Sequence, residues 1–333
     1  MLTEDTQRKD HFFSLTPERV LRSVERSGPR CTGRCLALNS MENRVYEVEI
    51  EDADDRELTK SVIAKFYRPG RWTLDQIRDE HQFLKDLVER DVPVACSLPI
   101  EEDIHVSTEP ESGIYFALFP KVRGRAPDEL NDEQLAWMGR LLARMHTVGS
   151  QRTAPHRIEI NPTTYARKNL DFLLTSKSLP MEIETSYAAT VEQLCSLIEP
   201  MFKGIENQRI HGDCHQGNIL WGSEGPFFVD FDDMLNGPCI QDMWLLIPGR
   251  DQESMRQLDV LIEGYQQMRR FDRSTIRLIE PLRALRYIHF SAWIARRWDD
   301  PIFPRVFSHF GTSAYWTSQL GDLKEQIGLI QSY

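Results

Sequence analysis

The residues from Ile210 to Asp233 carry side chains whose types and spacing suit the binding of a hard cation next to a proton acceptor. Asp213 and Asn218 have the spacing D-x4-N, and Asp230 follows at the end of an apolar run. Carboxylate and amide oxygens are the ligands that Mg²⁺ prefers in proteins. We therefore predict a metal site formed by Asn218 and Asp230, with the Asp213 carboxylate on a loop nearby.

Two apolar runs, at residues 219–221 and 227–229, are separated by the segment G-S-E-G-P at 222–226. This pattern predicts a β-hairpin with a five-residue loop. In the simplest register, Asn218 lies opposite Asp230, and opposed residues have Cβ atoms about 4.5–5.5 Å apart. The hairpin would therefore hold both proposed ligands against one ion.

Zinc is an alternative metal, with His211, Cys214 and His215 as its ligands. Zinc sites usually draw ligands from two separated pieces of chain, so three ligands within five residues fit zinc less well than Mg²⁺. We interpret His211 as a packing and hydrogen-bonding residue that fixes the loop. Asp232 and Asp233 are interpreted as capping or loop-bracing groups, or as second-shell support for the metal.

A lysine earlier in the chain can supply a cation for an anionic ligand. Residues 61–67 predict a strand in which Ile63, Lys65 and Tyr67 share one face. A helix then begins with the Thr73-x-x-Gln76 capping box and runs to about residue 90. Glu80 falls on the apolar stripe of that helix, so we predict a Lys65–Glu80 ion pair. The alternatives are a lysine that reaches solvent at a sheet edge and a glutamate at the helix periphery.

Strand patterns surround this lysine, and helical periodicity dominates later. We predict further strands near 36–38, 45–48, 99–100 and 114–119, and a helix at residues 16–28. After residue 125 we predict helices at 131–148, 187–202 and 281–298, with a loop-rich region at 150–185. The chain is thus expected to have an N-terminal helical extension (1–30), a small N-lobe (31–122) and a larger helical C-lobe (123–333).

The helix predicted at 281–298 carries four arginines, which we interpret as a solvated face or as a site for an acidic substrate: Arg283, Arg286, Arg296 and Arg297.

Composition narrows the class of partner. The formal net charge is -11 and the chain carries no basic block, which disfavours nucleic acid or an anionic membrane surface as the main partner. No secretory signal or run of 18 apolar residues is present, and the six cysteines are scattered, so we expect a cytoplasmic protein. Cys31 and Cys35 lack the second pair that a zinc site needs. We expect a monomer.

Lys65, Glu80, the H-G-D-x4-N segment and the hairpin to Asp230, in that order, form a specific set that suits phosphoryl transfer from a nucleotide. One carboxylate accepts the proton of the attacking hydroxyl, an amide and a second carboxylate hold Mg²⁺, and a lysine steadies the phosphates. The set resembles the kinase-like fold of aminoglycoside phosphotransferases and choline kinases. More closely, four stretches are similar to the bacterial stress response kinase A family: L-N-S-M-E-N-R-V-Y at 38–46, K-F-Y-R-P at 65–69, E-H-Q-F at 80–83 and H-G-D-C-H at 211–215. The likeness continues through N-G-P at 236–238 and R-R-W at 296–298.

The resemblance implies an α+β, bilobal protein-kinase-like fold, with a small antiparallel-sheet N-lobe carrying one main helix and a mostly helical C-lobe. It implies Asp213 as proton acceptor and Asn218 and Asp230 as Mg²⁺ ligands. Ser40 would contact ATP, and Asp242 would brace the catalytic loop through backbone N–H groups. The turn at 39–43 contains no glycine, so side chains such as Ser40 must share the binding of phosphates. Asp230 is followed by Phe-Asp-Asp, so no flipping activation segment is expected.

The resulting prediction is an ATP- and Mg²⁺-dependent kinase that phosphorylates Ser or Thr on protein in a stress response. One alternative is a small-molecule kinase on the same fold, acting on choline, homoserine or an aminoglycoside. Another is a non-catalytic pseudokinase. The presence of Lys65, Glu80, Asp213, Asn218 and Asp230 argues against the pseudokinase.

Overall fold

The computed structural model describes residues 4–51 and 59–332. Its strands are β1 Cys31–Ala37, β2 Arg44–Glu51, β3 Thr59–Phe66, β4 Ser107–Thr108, β5 Tyr115–Pro120, β6 Gln208–Ile210, β7 Ile219–Gly222, β8 Gly225–Phe228 and β9 Leu235–Gly237. Its α-helices are α1 Glu4–Phe13, α2 Pro17–Arg26, α3 Leu74–Val88, α4 Asp132–Gly149, α5 Lys168–Thr175, α6 Met181–Ile198, α7 Ile240–Leu246, α8 Gln252–Gln266, α9 Ile279–Ala295, α10 Ile302–Val306 and α11 Ser313–Gln331.

The chain divides into two compact units. The first comprises Met1–Asn131, Ala154–Arg157 and Cys214–Met234, and the second comprises Asp132–Thr153, Ile158–Asp213 and Leu235–Tyr333. The predicted division into residues 1–30, 31–122 and 123–333 stays a prediction. In the part of the chain that the structure describes, no helix is long and apolar enough to cross a membrane.

The first unit contains a five-stranded antiparallel sheet in the order β1-β2-β3-β5-β4. The strands predicted near 45–48, 61–67 and 114–119 are confirmed. The prediction of a strand starting at 99–100 is wrong, because the Ile100 N–H donates to the carbonyl of Ile104 in a local turn, with an N···O distance of 2.7 Å. That hydrogen bond closes a short loop on itself, so this segment contributes no strand to the sheet.

One face of the sheet forms a core with the first two helices. Phe12, Val20 and Val24 are buried together with Val62 and other apolar residues of the sheet. Successive side chains of a strand point to opposite faces. The face of β3 that carries Val62 is therefore filled by apolar packing, and the opposite face carries Lys65.

A buried ion pair links α2 to the turn after β4. The guanidinium of Arg19 donates to Glu109 at 2.5 Å and 3.2 Å, and Glu109 also accepts from the backbone N–H and hydroxyl of Ser112. Burial alone would raise the pKa of Glu109, but these hydrogen bonds outweigh it and lower the pKa to about 2. Its carboxylate therefore stabilises the fold above its ordinary pKa of 4.5, and this contribution is lost as pH falls toward 2.

We expect Glu109→Gln to lower the free energy of unfolding near pH 6 by roughly 1–3 kcal/mol, since hydrogen bonds to a charged group are lost. The difference from the unsubstituted protein should shrink as pH falls from about 4.5 to about 2. Urea unfolding measured between pH 6 and pH 3 provides the test, with Glu101→Gln as the control because Glu101 is exposed and lies in the same unit. A difference that stays constant with pH would show that the ionised carboxylate is not what stabilises this turn.

The predicted hairpin forms, but its loop and register differ from the prediction. Gly222 pairs with Gly225, so two residues connect the strands, and Trp221 lies opposite Pro226. A pair next to the one that closes a two-residue turn exchanges no hydrogen bonds, so the missing N–H of Pro226 costs nothing there. The register shifts by one residue. Asn218 consequently pairs with Val229, whose N–H donates to the Asn218 carbonyl at 3.0 Å, and not with Asp230.

The second unit is mainly helical, with β6 and β9 as a small antiparallel sheet. The predicted helices at 131–148, 187–202 and 281–298 correspond to α4, to α6 with a following 3-10 turn, and to α9. The prediction of a loop-rich region at 150–185 is partly wrong, since a π-helical turn at Thr163–Arg167 leads directly into α5. Close approach of α4 and α8 depends on Gly139, where a Cβ would lie 2.1 Å from the carbonyl oxygen of Leu261.

The interpretation of the arginines of the predicted 281–298 helix as a solvated face is wrong for two of the four, and Arg296 and Arg297 follow the end of α9 at Ala295. Arg283 is 8% exposed, donates to the Pro248 carbonyl and pairs with Glu280 at 3.3 Å. Arg297 is 7% exposed, donates to the Trp293 carbonyl and lies over the Trp293 ring. Long aliphatic stems and stacking on aromatic rings allow such arginines to lie on the buried side of a helix.

Candidate active site

In the first unit, Lys65 lies at the centre of a group of carboxylates. Its side chain is 9% exposed, and its Nζ lies 3.4 Å from Glu80, 3.0 Å from Asp232 and 3.5 Å from Asp230. The predicted partner Glu80 comes from α3 and is 1% exposed. The other two carboxylates, those of Asp230 and Asp232, belong to the segment that follows the hairpin.

Opposite charges in this group hold Lys65 and Asp232 in their ionised forms, whereas burial raises the pKa of Glu80 despite the nearby Lys65 and Arg157. Burial alone would lower the pKa of Lys65, but Asp232 and Glu80 outweigh burial and raise it well above its ordinary value. Burial would raise the pKa of Asp232, but Lys65, Arg71 and Arg157 outweigh it and lower that pKa. Lys65 is therefore a fixed ammonium group, which is suited to binding an anion.

Arg157 completes the group, and sequence reasoning missed it. Its buried guanidinium donates to Glu80 at 2.9 Å, to the Gln76 carbonyl at 2.8 Å and to the Asp232 carbonyl at 2.6 Å. It also lies over the ring of Trp72. Arg157 thus ties α3 to the segment after the hairpin. Its position in a predicted loop gave no periodic signal that could have revealed this role.

Asp232 and Asp233, predicted to cap or brace the loop or to support the metal, both form ion pairs. Asp232 is 3% exposed, pairs with Lys65 and Arg71, and accepts from the indole N–H of Trp72 at 3.3 Å. Asp233 pairs with Arg71. The sequence did carry a signal in its composition: the acids at 230, 232 and 233 require cations, and Lys65 and Arg71 supply them.

Asp230 and Asn218 both lie at the open end of the hairpin. Asp230 has the left-handed backbone φ 60°, ψ 66°, and its side chain is 54% exposed. Such a conformation costs of order 1–3 kcal/mol in a residue other than glycine and is concentrated at functional sites. Asn218 is half-buried and ends a 3-10 turn, Gln216–Asn218, just before β7.

An accessible carboxylate beside an amide is a donor set that fits Mg²⁺. This ion is usually held by one or two carboxylates together with phosphate oxygens and water. No group of three His, Cys, Asp or Glu side chains able to hold a metal is found within residues 4–51 and 59–332. The zinc alternative at His211, Cys214 and His215 therefore has no support from the geometry.

The turn at 39–43 is held by Arg68. Its guanidinium donates to the carbonyls of Glu42 and Met41, both at 2.9 Å, and its backbone N–H donates to the Asn43 side chain at 3.1 Å. These contacts fix a turn that has no glycine. Ser40 is half-buried within it.

In the second unit, Asp242 holds the loop that leads to Asp213. The two carboxylate oxygens of Asp242 accept from the backbone N–H groups of His211 at 2.9 Å and Gly212 at 2.8 Å. The Asp213 N–H in turn donates to the His211 ring at 3.3 Å. Asp242 also contacts the ring of His146 at 3.0 Å, and all of these side chains except Asp213 are fully buried. The backbone around Asp213 is thus fixed by buried polar groups.

Asp213 itself is partly accessible. Its side chain is 21% exposed and lies 2.8 Å from the guanidinium of Arg286 in α9. The sequence reading placed Arg286 among the solvated arginines or at an acidic substrate and did not connect it with Asp213.

Known proteins resemble this chain in sequence and in fold. The phosphotransferase enzyme family matches residues 35–279. Stress response kinase A of Salmonella paratyphi A is 37% identical over 320 residues, which cover 96% of this chain and 94% of the relative. The chain belongs to the stress response kinase A family of phosphotransferases. Another member, serine/threonine protein kinase RdoA of Salmonella typhimurium, is also 37% identical over 96% of this chain and 94% of its own length.

A solved structure also resembles this member of the stress response kinase A family. It is amicoumacin kinase hAmiN in complex with AMP-PNP, Ca²⁺ and Ami, with a TM-score of 0.73. It is 19% identical and covers 98% of this chain and 96% of its own. This likeness confirms the predicted α+β, kinase-like fold class. As a family member the protein is a kinase that transfers phosphate to a hydroxyl.

Proposed function

We propose that the protein transfers the γ-phosphoryl group of ATP to the hydroxyl of a serine or threonine in a protein. The observation that carries the proposal is the buried Lys65 ammonium, held by Glu80 and Asp232 and only 3.5 Å from the accessible carboxylate of Asp230. A fixed cation beside an accessible metal ligand is what binding of a nucleotide phosphate requires. The choice of serine or threonine follows the printed name of the Salmonella typhimurium relative.

Each proposed role rests on a separate observation. Lys65 steadies phosphate oxygens, and Glu80 keeps it in place. Asp230 and Asn218 would hold Mg²⁺, which neutralises the charge that develops on the phosphates. Asp213 accepts the proton of the acceptor hydroxyl, supported by its exposure and by the braced loop beneath it. Ser40 contacts ATP by analogy with the family.

Asp230→Asn is expected to abolish Mg²⁺-dependent binding of nucleotide, because an amide replaces the charged oxygen that the cation needs. Calorimetric titration with a non-hydrolysable ATP analogue, with and without Mg²⁺, measures this effect. Asp75→Asn is a matched control, since Asp75 is 56% exposed and lies in the same unit. Normal Mg²⁺-dependent binding in Asp230→Asn would assign the metal to other ligands.

The acceptor class is tested with ATP labelled at the γ-phosphate. The protein is incubated with labelled ATP and Mg²⁺, alone and with a cell extract, and labelled proteins are separated from labelled small molecules. Acid hydrolysis of labelled protein should release phosphoserine or phosphothreonine. Label confined to small molecules would overturn the proposed acceptor.

A second candidate function is phosphorylation of a small-molecule hydroxyl. The likeness of the fold to amicoumacin kinase over 98% of the chain favours it. A fold of this kind does not itself select the acceptor, because function depends on the site and not on the architecture. The same labelling experiment decides between the two candidates.

A further inference from the structure

In the second unit, an arginine lies next to Asp213, and the proposed function gives that arginine no role. Arg286 lies 2.8 Å from Asp213, the proposed proton acceptor, and its side chain is 39% exposed. A guanidinium has five N–H donors in a fixed fork. One carboxylate engages only part of this fork, so the partly exposed guanidinium of Arg286 can also donate to an acceptor atom of a substrate beside Asp213.

The surroundings of Arg286 add positive charge. Arg283 lies one turn earlier on α9, and residues three apart are neighbours on a helix surface. Both Arg283 and Arg250 share a single carboxylate, that of Glu280, at 3.3 Å and 3.1 Å. Three arginines, of which Arg250 and Arg286 are partly exposed and Arg283 is buried, therefore stand against the carboxylates of Glu280 and Asp213.

A hydroxyl compound that approaches Asp213 must enter the field of Arg286. An ammonium group next to the hydroxyl, as in an amino alcohol or an aminoglycoside, would meet a like charge at close range, which is unfavourable. A carboxylate next to the hydroxyl could pair with the guanidinium in a bidentate manner. The charge on this surface therefore favours an anionic acceptor.

We propose that Arg286 is a specificity-determining residue that binds an acidic side chain next to the phosphorylated serine or threonine. The proposal rests on the proposed function and names its substrate class, a Ser/Thr hydroxyl flanked by Asp or Glu. Arg286 then contacts both Asp213 and the acceptor's carboxylate. It selects the acceptor by charge and keeps the acceptor hydroxyl at Asp213.

The test uses three peptides of equal length with one central serine, flanked by Asp and Glu, by Asn and Gln, or by Lys. We expect the acidic peptide to have the lowest KM. In Arg286→Gln its KM should rise roughly 10- to 100-fold, the range for the loss of a hydrogen bond between charged groups, and the neutral peptide should change much less. Arg286→Lys should restore part of the preference, and Arg286→Glu should transfer it to the Lys peptide.

Arg256→Gln is the matched control, since Arg256 is 47% exposed and pairs with Asp132 at 2.8 Å on the same unit. It should leave the order of the three peptides unchanged. Equal KM values for the three peptides in the unsubstituted protein would overturn the inference. A uniform fall in kcat for all peptides in Arg286→Gln, at an unchanged ratio of KM values, would also overturn it, because Arg286 would then only orient Asp213.

Failure of the proposed function has a different signature. If no peptide or protein is labelled, kinetics cannot report on Arg286, but fluorescence anisotropy of the labelled peptides still measures binding without transfer. Tighter binding of the acidic peptide, lost in Arg286→Gln, supports the inference even then. Equal binding of all three peptides refutes the inference independently of any phosphoryl transfer.

Discussion

Replacing Asp213 with Asn is expected to lower kcat by roughly 10²- to 10⁴-fold, the usual contribution of a positioned general base. An amide of the same shape can still accept a hydrogen bond from the acceptor hydroxyl, but it cannot take the proton. The loop should keep its structure, because Asp242 and His211 hold it through backbone groups that the substitution leaves in place.

Single-turnover measurements with saturating Mg²⁺ and ATP isolate this effect from product release. Nucleotide affinity, measured by calorimetry, should be nearly unchanged, and so should the melting temperature. Asp259→Asn provides the control in the same unit, because Asp259 is 57% exposed and pairs only at the surface with Arg273. Unchanged turnover in Asp213→Asn would exclude Asp213 as the base.

Local patterns allowed several features of the first unit to be predicted. The capping box at Thr73 and Gln76 begins α3 as expected, with both of its hydrogen bonds formed. This start sets the phase of the helix, so the helical wheel correctly predicts that Glu80 is buried. Strand alternation similarly separates Lys65 from the core face. These predictions succeed because each depends on the periodicity of one element.

The features that sequence reasoning missed depend on contacts between distant segments. Arg157 is 77 residues from Glu80 along the chain, and no periodic pattern surrounds it. The hairpin register depends on a two-residue turn between Gly222 and Gly225, whereas the pattern of apolar residues permits a longer loop. The error of one residue moved Asn218 from its expected position opposite Asp230.

The arginines in and directly after α9 show a third limit of prediction from the sequence. Charge alone predicts solvent exposure, yet Arg283 and Arg297 are buried because carbonyls, Glu280 and aromatic rings satisfy their guanidinium groups. Glu280 and Trp293 belong to α9 and lie at helical spacing from these arginines, whereas Pro248 lies before the helix. Arg286, also in α9, is more exposed than Arg283 and Arg297. Its contact with Asp213 has no signal in the sequence.

Glu80→Ala is expected to lower the free energy of unfolding by roughly 3–5 kcal/mol, the cost of removing one partner of a buried ion pair. Lys65 keeps Asp232 at 3.0 Å, so the greater loss falls on Arg157, whose guanidinium loses the carboxylate 2.9 Å away. Urea unfolding measures the change. Asp75→Ala is the control, because the exposed Asp75–Arg78 pair should contribute only about 0–1 kcal/mol.

The same reasoning predicts how Glu80 and Arg157 depend on each other. Arg157→Met alone leaves the Glu80 carboxylate without a close cation on one side and leaves buried carbonyls of Gln76 and Asp232 without their donor. In the double variant Glu80→Met with Arg157→Met, both charges of this pair are removed together and Lys65 keeps Asp232, so the loss of stability should be smaller than the sum of the two single losses. A double-mutant cycle by urea unfolding gives this coupling. Additive losses would mean that the two side chains stabilise the first unit independently, and that the buried pair is not what holds α3 to the segment after the hairpin.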